Sequence, residues 1–440
     1  MESGAHGCAD AALDLYEELL GPLSLDDFRR VLGLRGGWGL FNAALTIWLC
    51  IRRRMFGLSI ESAWQSCSAS EALRLSPKSS RAQKGKLSLH QSGFDYARHH
   101  IPLELVRAAS DQLYAEAQTL LGSDKSGWFL LDGSSLTLEA TPALVKAYPP
   151  ATKKGKAIHW PVIKLALVHD LQSGLAMRPE WGPMHGPCAV SEQALAHRLI
   201  ELLPEGCGVI ADRNFGIFQI AWALREHRML VRLTDARARA LVKGKGTIGE
   251  DLDISYCWKP SPWERRQNEE FDKDTAVSGR IVIRHVIGPK GQKVRVCLFT
   301  NDFESSPEEL TQLYTKRWNI ETDLRSLKHT VNLEMVGARS PDMVAKELIL
   351  SVAAYNIVRT IMAQAAQLKG IEPRKISFAR AKGCILVYAA RGIPTEQTIL
   401  QMLNAIAGKP IPNRKTKRTF KRHVWKKGND FPARKVEAAS

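Results

Sequence analysis

"GWFLLDGSSL", residues 127–136, is where the chain changes character. Everything before it reads as helix, and everything for the next hundred residues reads as strands alternating with helices. An apolar run of this length that stops at an acid is a short strand with Asp132 at its carboxyl end. Downstream, "HWPVIKLALVHD" (159–170) and "GLAMRPEWGP" (174–183) are strands around the turn "LQSG", and "SEQALAHRLIELL" (191–203) is a helix with a Ser cap. "GVIADRNF" (208–215) repeats the opening pattern, an apolar strand ending in Asp212, and leads into the helix "GIFQIAWALREH"; "MLVRLTD" (229–235) is the fifth strand. Three strands, helix, strand, helix, strand is the order of a mixed α/β sheet with a ribonuclease-H-like core.

The flanks complete the division. Residues 1–125 read as a helical domain, including "SLDDFRRVLGL", the apolar run "WGLFNAALTIWLCI" (38–51) and "PLELVRAASDQLYAEAQTLL" (102–121), with "LSPKSSRAQKGKLS" (75–88) a basic loop between them. The run at 38–51 is too short for a membrane span and reads as a buried helix. From 236 to 303 the helical signal disappears and "GTIGEDLDISYCW", "GRIVIRHVIG" and "QKVRVCLFT" predict a β-rich insertion between two parts of the core, 126–235 and 304–370. The second part contains "SPDMVAKELILSVAAYNIVRTIMAQAAQL" (340–368), a helix apolar enough to be buried; a C-terminal region, 371–440, follows.

"SSPEELTQLY" opens a helix with a capping box, Ser306 at the cap and Glu309 at the third position. It runs into "YTKRWNIETDLRSLK" (314–328). At about 100° per residue, Tyr314, Arg317 and Lys328 fall within about 40° of Glu321, and the apolar stripe Leu313, Ile320, Leu324, Leu327, Val331 lies about a quarter turn away. A surface helix needs two faces; this one has a third, polar strip at the edge of the core. The plainer alternative is an Arg317–Glu321 ion pair worth a few tenths of a kcal/mol. Plainer alternatives exist for the aspartates too: "DG" is a turn dipeptide, and Asp212 is placed to cap the next helix. Two strand-end acids and a core-edge Glu together point instead to one site. Three converging carboxylates repel unless cations neutralise them, and all-oxygen ligands suit Mg²⁺ or Mn²⁺. Two such ions activate the attacking oxygen and stabilise the leaving one in phosphoryl displacement. Arg317, Lys328 and Tyr314 then bind phosphates, and Trp318 either stacks on a displaced base or packs at the edge of the core.

Charge supports a polyanionic partner. The formal charge is +17, and more than half of it lies in 409–436, a Lys/Arg run with one acid, Asp430, interleaved with Phe420, Trp425 and Phe431. Cations meet phosphates and aromatics stack on bases; a merely solubilising tail is the alternative. Eight cysteines without a CxxC pair argue against zinc and against a disulfide framework, since His185 and Cys188 have no second pair. They read as reduced, mostly buried thiols of a cytoplasmic protein, with no signal peptide or membrane span.

Tyr314-x2-Arg317-x3-Glu321-x6-Lys328 resembles the Tyr-Arg-Glu-Lys signature of bacterial insertion-sequence transposases of the fourth insertion-sequence family, and "FLLDGSSL" and "VIADRNF" stand where that family carries its two catalytic aspartates. The likeness runs from about 127 to 365, with a weaker echo in "SGFDYARHHIPLELV" (92–106), and the signature is intact. It implies a DDE transposase: a metal-dependent endonuclease and strand transferase that moves an element by cut and paste. It acts on double-stranded DNA, both element ends and target, as a homodimer bridging terminal inverted repeats, in the nucleoid. Asp132, Asp212 and Glu321 are then the catalytic residues and the ligands of two metal ions, with Tyr314, Arg317 and Lys328 gripping phosphates and Trp318 holding a flipped base. A non-mobile nuclease that kept the fold, or a basic DNA-binding regulator without catalysis, are the competing readings. The N-terminal helices are the first choice for reading the repeat, and the tail for nonspecific phosphate contacts.

Overall fold

The computed structural model describes residues 11–20, 39–123, 127–153, 156–157, 160–287, 292–331, 333–334, 336–390 and 396–411. Its strands are β1 (Trp128–Thr137), the small hairpin β2 (Thr152–Lys153) and β3 (Lys156–Ala157), β4 (Val162–Asp170), β5 (Glu180–Pro183), β6 (Gly208–Ala211), β7 (Arg228–Arg232), β8 (Leu252–Trp258), β9 (Val277–Ile287) and β10 (Lys293–Thr300). All but the small hairpin join one eight-stranded mixed sheet in the order β5-β4-β1-β6-β7-β10-β9-β8. β1 is antiparallel to β4 and parallel to β6, which is parallel to β7; β10 is antiparallel to both β7 and β9, and β9 to β8.

The α/β class is as expected, with three local differences. First, β1 does not end at Asp132. Its parallel partner stops at Leu131↔Ala211, but its antiparallel pairing with β4 continues to Thr137↔Val162. The "DG" dipeptide therefore lies inside a strand rather than in a turn. Second, the β-rich segment does not form a sheet of its own: β10 pairs with β7 and carries the core sheet onward. That segment also holds two short helices, Asp235–Leu241 and Pro262–Gln267, the second with a Ser261–Glu264 capping box. Neither spans enough turns to show a periodicity. Third, the stretch 174–183 is a strand only over Glu180–Pro183, with Ala176 bridging His169. One helical turn, Ser80–Gln83, interrupts the basic loop, capped by Ser79. The "SLDDFRRVLGL" helix, and the basic tail from residue 412 on, lie outside the described residues.

Strand alternation divides the core. Leu130 and Leu136 of β1 face the long helix Pro341–Lys369, whereas Phe129 and Leu131 face the helices Glu192–Ile200 and Phe218–Ala223 on the other side. Because side chains alternate with a period of two, a one-residue slip would exchange these sets. Burying each Leu is worth about 2 kcal/mol, so the register is firmly held. The long helix is buried nearly all round, among others by Ala43–Phe56 and Leu103–Leu120, the two helices expected from 38–51 and 102–121. It is long and apolar enough to cross a membrane, but 94% of the qualifying window is buried inside the protein.

Candidate active site

The same alternation places the two aspartates. Leu130 and Ile210 are register partners and both belong to the core on the long-helix side. Asp132 and Asp212 each come two residues later, at the carboxyl ends of the parallel stretches, and so start out on that same side. Neighbouring strands are about 4.8 Å apart, which explains why Asp132 feels the charge of Asp212. Burial first, and then Asp212 and Glu192, push the Asp132 carboxyl up to about 6, against the opposing pull of the Gly133 N–H and Arg317. The Gly133 N–H donates to Asp132 Oδ1 at 2.8 Å. Its side chain is 16% exposed, enough for a ligand to reach it.

The Glu321 helix approaches from the long-helix side, anchored by Ile320, Leu324 and Leu327 in that core. The stretch 314–328 is not one continuous helix, as the phase reading assumed. Pro307–Thr315 ends at a tight joint where Arg317 N–H donates to Tyr314 O (3.0 Å) and Ile320 N–H to Arg317 O (3.0 Å). Trp318–Arg325 follows, and Ser326–Thr330 is a π-helical turn. Such turns are rare, cost regular hydrogen bonding and gather at functional sites. Across this joint and turn, Arg317 and Lys328 still lie close to Asp132, Tyr314 close to Asp212, and Glu321 on Arg317.

Arg317 ties the site together. Nη2 donates to Glu321 Oε1 at 2.8 Å, and Nη1 stands 3.8 Å from Asp132 Oδ2. Lys328 Nζ donates to Ser135 O at 3.2 Å, reaching β1 beyond Asp132. Burial lowers the Lys328 ammonium below its ordinary range, while Glu334 and Asp132 pull it back up. Tyr314 is buried, and its hydroxyl is pushed above the usual tyrosine range by burial, opposed by the nearby Arg317 and Arg232. Trp318, by contrast, is 63% exposed, so its ring lies mostly open to solvent.

Two partners of this site carry no sequence signal. Glu192, which reads only as an acid in a helix's first turn, lies against Gly133 and bonds Asn214. Arg232, at the end of β7, joins Arg213, Lys293, Arg295 and the acid Asp235 around an open, mainly basic cavity of about 510 Å³. These residues are distant in sequence, and only strand pairing brings them together.

Over residues 125–357, just over half its length, the chain matches the transposase DDE domain. The chain belongs to the DDE transposase family. It is 29% identical over 267 residues to the transposase InsG for insertion sequence element IS4 of Escherichia coli (strain K12), a match covering 58% of this chain and 57% of that protein. The chain thus spans a little over half the length of this curated relative.

The DDE family implies a divalent metal ion, and the donor chemistry fits one. Asp132 and Asp212 offer only hard oxygen ligands, and the Asp132 carboxyl, raised first by its burial, also feels the charges of Asp212 and Glu192 beside it. Glu321 is engaged by Arg317 in this arrangement. Among the described residues no three acids, histidines or cysteines stand close enough together to hold a metal. The described cysteines are all free; Cys188 and Cys257 are exposed, against the expectation of mostly buried thiols.

Proposed function

We propose that this protein is a metal-dependent DNA transposase with a ribonuclease-H-like core, cutting and rejoining DNA at the terminal inverted repeats of an insertion sequence. One observation carries the reading: Arg317 spans Glu321 and Asp132, so one cation draws together the acids of two distant segments, beside Asp212. The order β5-β4-β1-β6-β7, an antiparallel trio followed by two parallel strands, supports the core assignment.

In this reading Asp132 and Asp212 hold a divalent cation, Mg²⁺ or Mn²⁺, and Glu321 completes the ligand set for two ions. When bound, the metal neutralises the acids and supplies the activated oxygen chemistry of phosphoryl displacement. Arg317 serves as a placeholder: without DNA its guanidinium keeps Glu321 from pointing an uncompensated charge at Asp132. With DNA it turns to a phosphate, which takes both N–H groups in a bidentate grip. Lys328, fixed on β1, adds a point charge to the neighbouring phosphate, and Tyr314 donates from its hydroxyl. Trp318 stacks on a base displaced at the cut end. The protein acts as a homodimer on paired ends in the bacterial cytoplasm. Residues 1–125 read the end sequence as one domain, and the basic tail supplies nonspecific phosphate contacts.

An excision assay on a plasmid carrying the gene's own flanking ends tests this. Wild-type protein excises with Mg²⁺ or Mn²⁺ and not in chelator, whereas Glu321→Ala binds the ends without cutting them. Normal cutting by Glu321→Ala overturns the assignment.

A further inference from the structure

We propose that Glu192, Gln193 and Asn214 form a latch that orients Asp212 for metal binding; the inference rests on the transposase reading above. Glu192 is the first residue of the helix Glu192–Ile200, and its Oε2 accepts a hydrogen bond from Asn214 Nδ2. Gln193, the next residue, donates from Nε2 to Asn214 O at 2.8 Å and to Asn214 Oδ1 at 3.0 Å. Asn214 in turn donates its backbone N–H to Asp212 Oδ1 at 2.8 Å. The helix's first turn therefore grips Asn214 at both ends of its side-chain amide, and Asn214 holds the carboxylate. One Asp212 oxygen is committed to the loop, leaving the other for a ligand.

Gly133 makes the approach possible. A Cβ at this position would sit 2.7 Å from Glu192 Cδ and 2.8 Å from Oε2. Glu192 thus rests on β1 immediately after Asp132 while bonding the loop that carries Asp212. It ties the Asp212 loop to β1 beside Asp132 through contacts that are not part of the sheet. An exposed hydrogen bond of this kind contributes only modestly to stability. That is little for the fold, but outer partners that orient metal ligands change metal affinity by roughly 10–100-fold. These three residues and Gly133 are positioning residues: none needs to touch DNA or metal.

Calorimetric titration of the full chain with Mn²⁺, paired with cleavage of end-containing DNA, tests the latch. Asn214→Ala and Glu192→Ala weaken Mn²⁺ binding roughly tenfold with unchanged melting temperature. Glu192→Gln retains an acceptor for Asn214 and binds Mn²⁺ within about twofold of wild type, which separates a latch from a charge acting directly on the metal. Gly133→Ala also weakens Mn²⁺ binding, because its Cβ displaces the flexible end of Glu192 while leaving Gln193 and Asn214 chemically intact. The latch is wrong if the Ala variants bind Mn²⁺ like wild type, or if Glu192→Gln is as impaired as Glu192→Ala. Wild-type protein that binds no Mn²⁺, or binds it without cleaving DNA, defeats the transposase reading instead.

Discussion

Arg317 and Glu321 lie one turn apart and meet at 2.8 Å, and the same guanidinium reaches 3.8 Å toward Asp132 on β1. Ion pairs at i, i+4 contribute only about 0.3–0.5 kcal/mol at a helix surface, and this part-buried one also gives up hydration, so the contact does little for the helix. Arg317→Ala is therefore expected to leave the melting temperature nearly unchanged. It should lower end cleavage by about 100-fold or more, of the order seen when a preorganised charge partner is removed. A loss of stability without a loss of cleavage would reassign Arg317 to the fold.

Asp132 gives a pH signature in the metal-free protein. Its folded value of about 6 exceeds the ordinary aspartate value of 3.8, so the folded state binds the proton more tightly. The stability it contributes is fully present below about 3.8 and is lost as pH rises through about 6. In chelator, Asp132→Asn should thus melt higher than wild type at pH 7, by up to about 3 kcal/mol, and the gap should close toward pH 4. A constant gap across that range would show that burial does not perturb this carboxyl.

Asp323, fully buried, accepts from Arg359 Nη2 and from Arg374 Nη1 (2.7 Å), while Arg374 also bonds Leu171 O (2.8 Å) and Asp170 O (3.1 Å). Two residues past Glu321, it pins the Glu321 helix to the long helix and to the end of β4. Removing one partner of a buried pair costs about 3–5 kcal/mol. Asp323→Ala should therefore lose that much in denaturant unfolding, unlike Glu321→Ala, whose side chain is 34% exposed.

Gly216 has no room for a side chain: a Cβ would lie 2.2 Å from Arg232 O, a backbone atom. Gly216→Ala must push the Asp212 loop away from β7 and should cost about 1–3 kcal/mol or more, with cleavage falling in parallel. Native stability in this variant would mean that loop and strand part without cost.

Trp318→Ala separates packing from chemistry. At 63% exposure the ring supports little core, so unfolding should change by no more than about 0.5 kcal/mol. Processing of DNA ends should drop, because base stacking on an aromatic is worth about 1–3 kcal/mol. Fluorescence of this exposed indole should quench when end DNA is added.

Local chemistry made much of the molecule legible in its residues. The apolar runs of β1, β6 and β7 identify themselves by composition; the Ser306–Glu309 box marks a helix start, and the 341–369 helix declares its burial by being apolar all round. Asp132 and Asp212 stand out because each follows an apolar run, and Glu321 because its helical phase sets it with Tyr314, Arg317 and Lys328 at the edge of the apolar stripe. Tertiary structure alone decided the rest. Strand pairing, which acts between segments far apart in the chain, made the β-rich segment an extension of the core sheet and carried β1 past Asp132. The 314–328 stretch divides at a joint and a π turn that no single-helix phase contains. Packing also brought Glu192 onto Gly133, a contact that depends on the missing Cβ of a residue 59 positions earlier, and so has no periodicity to announce it.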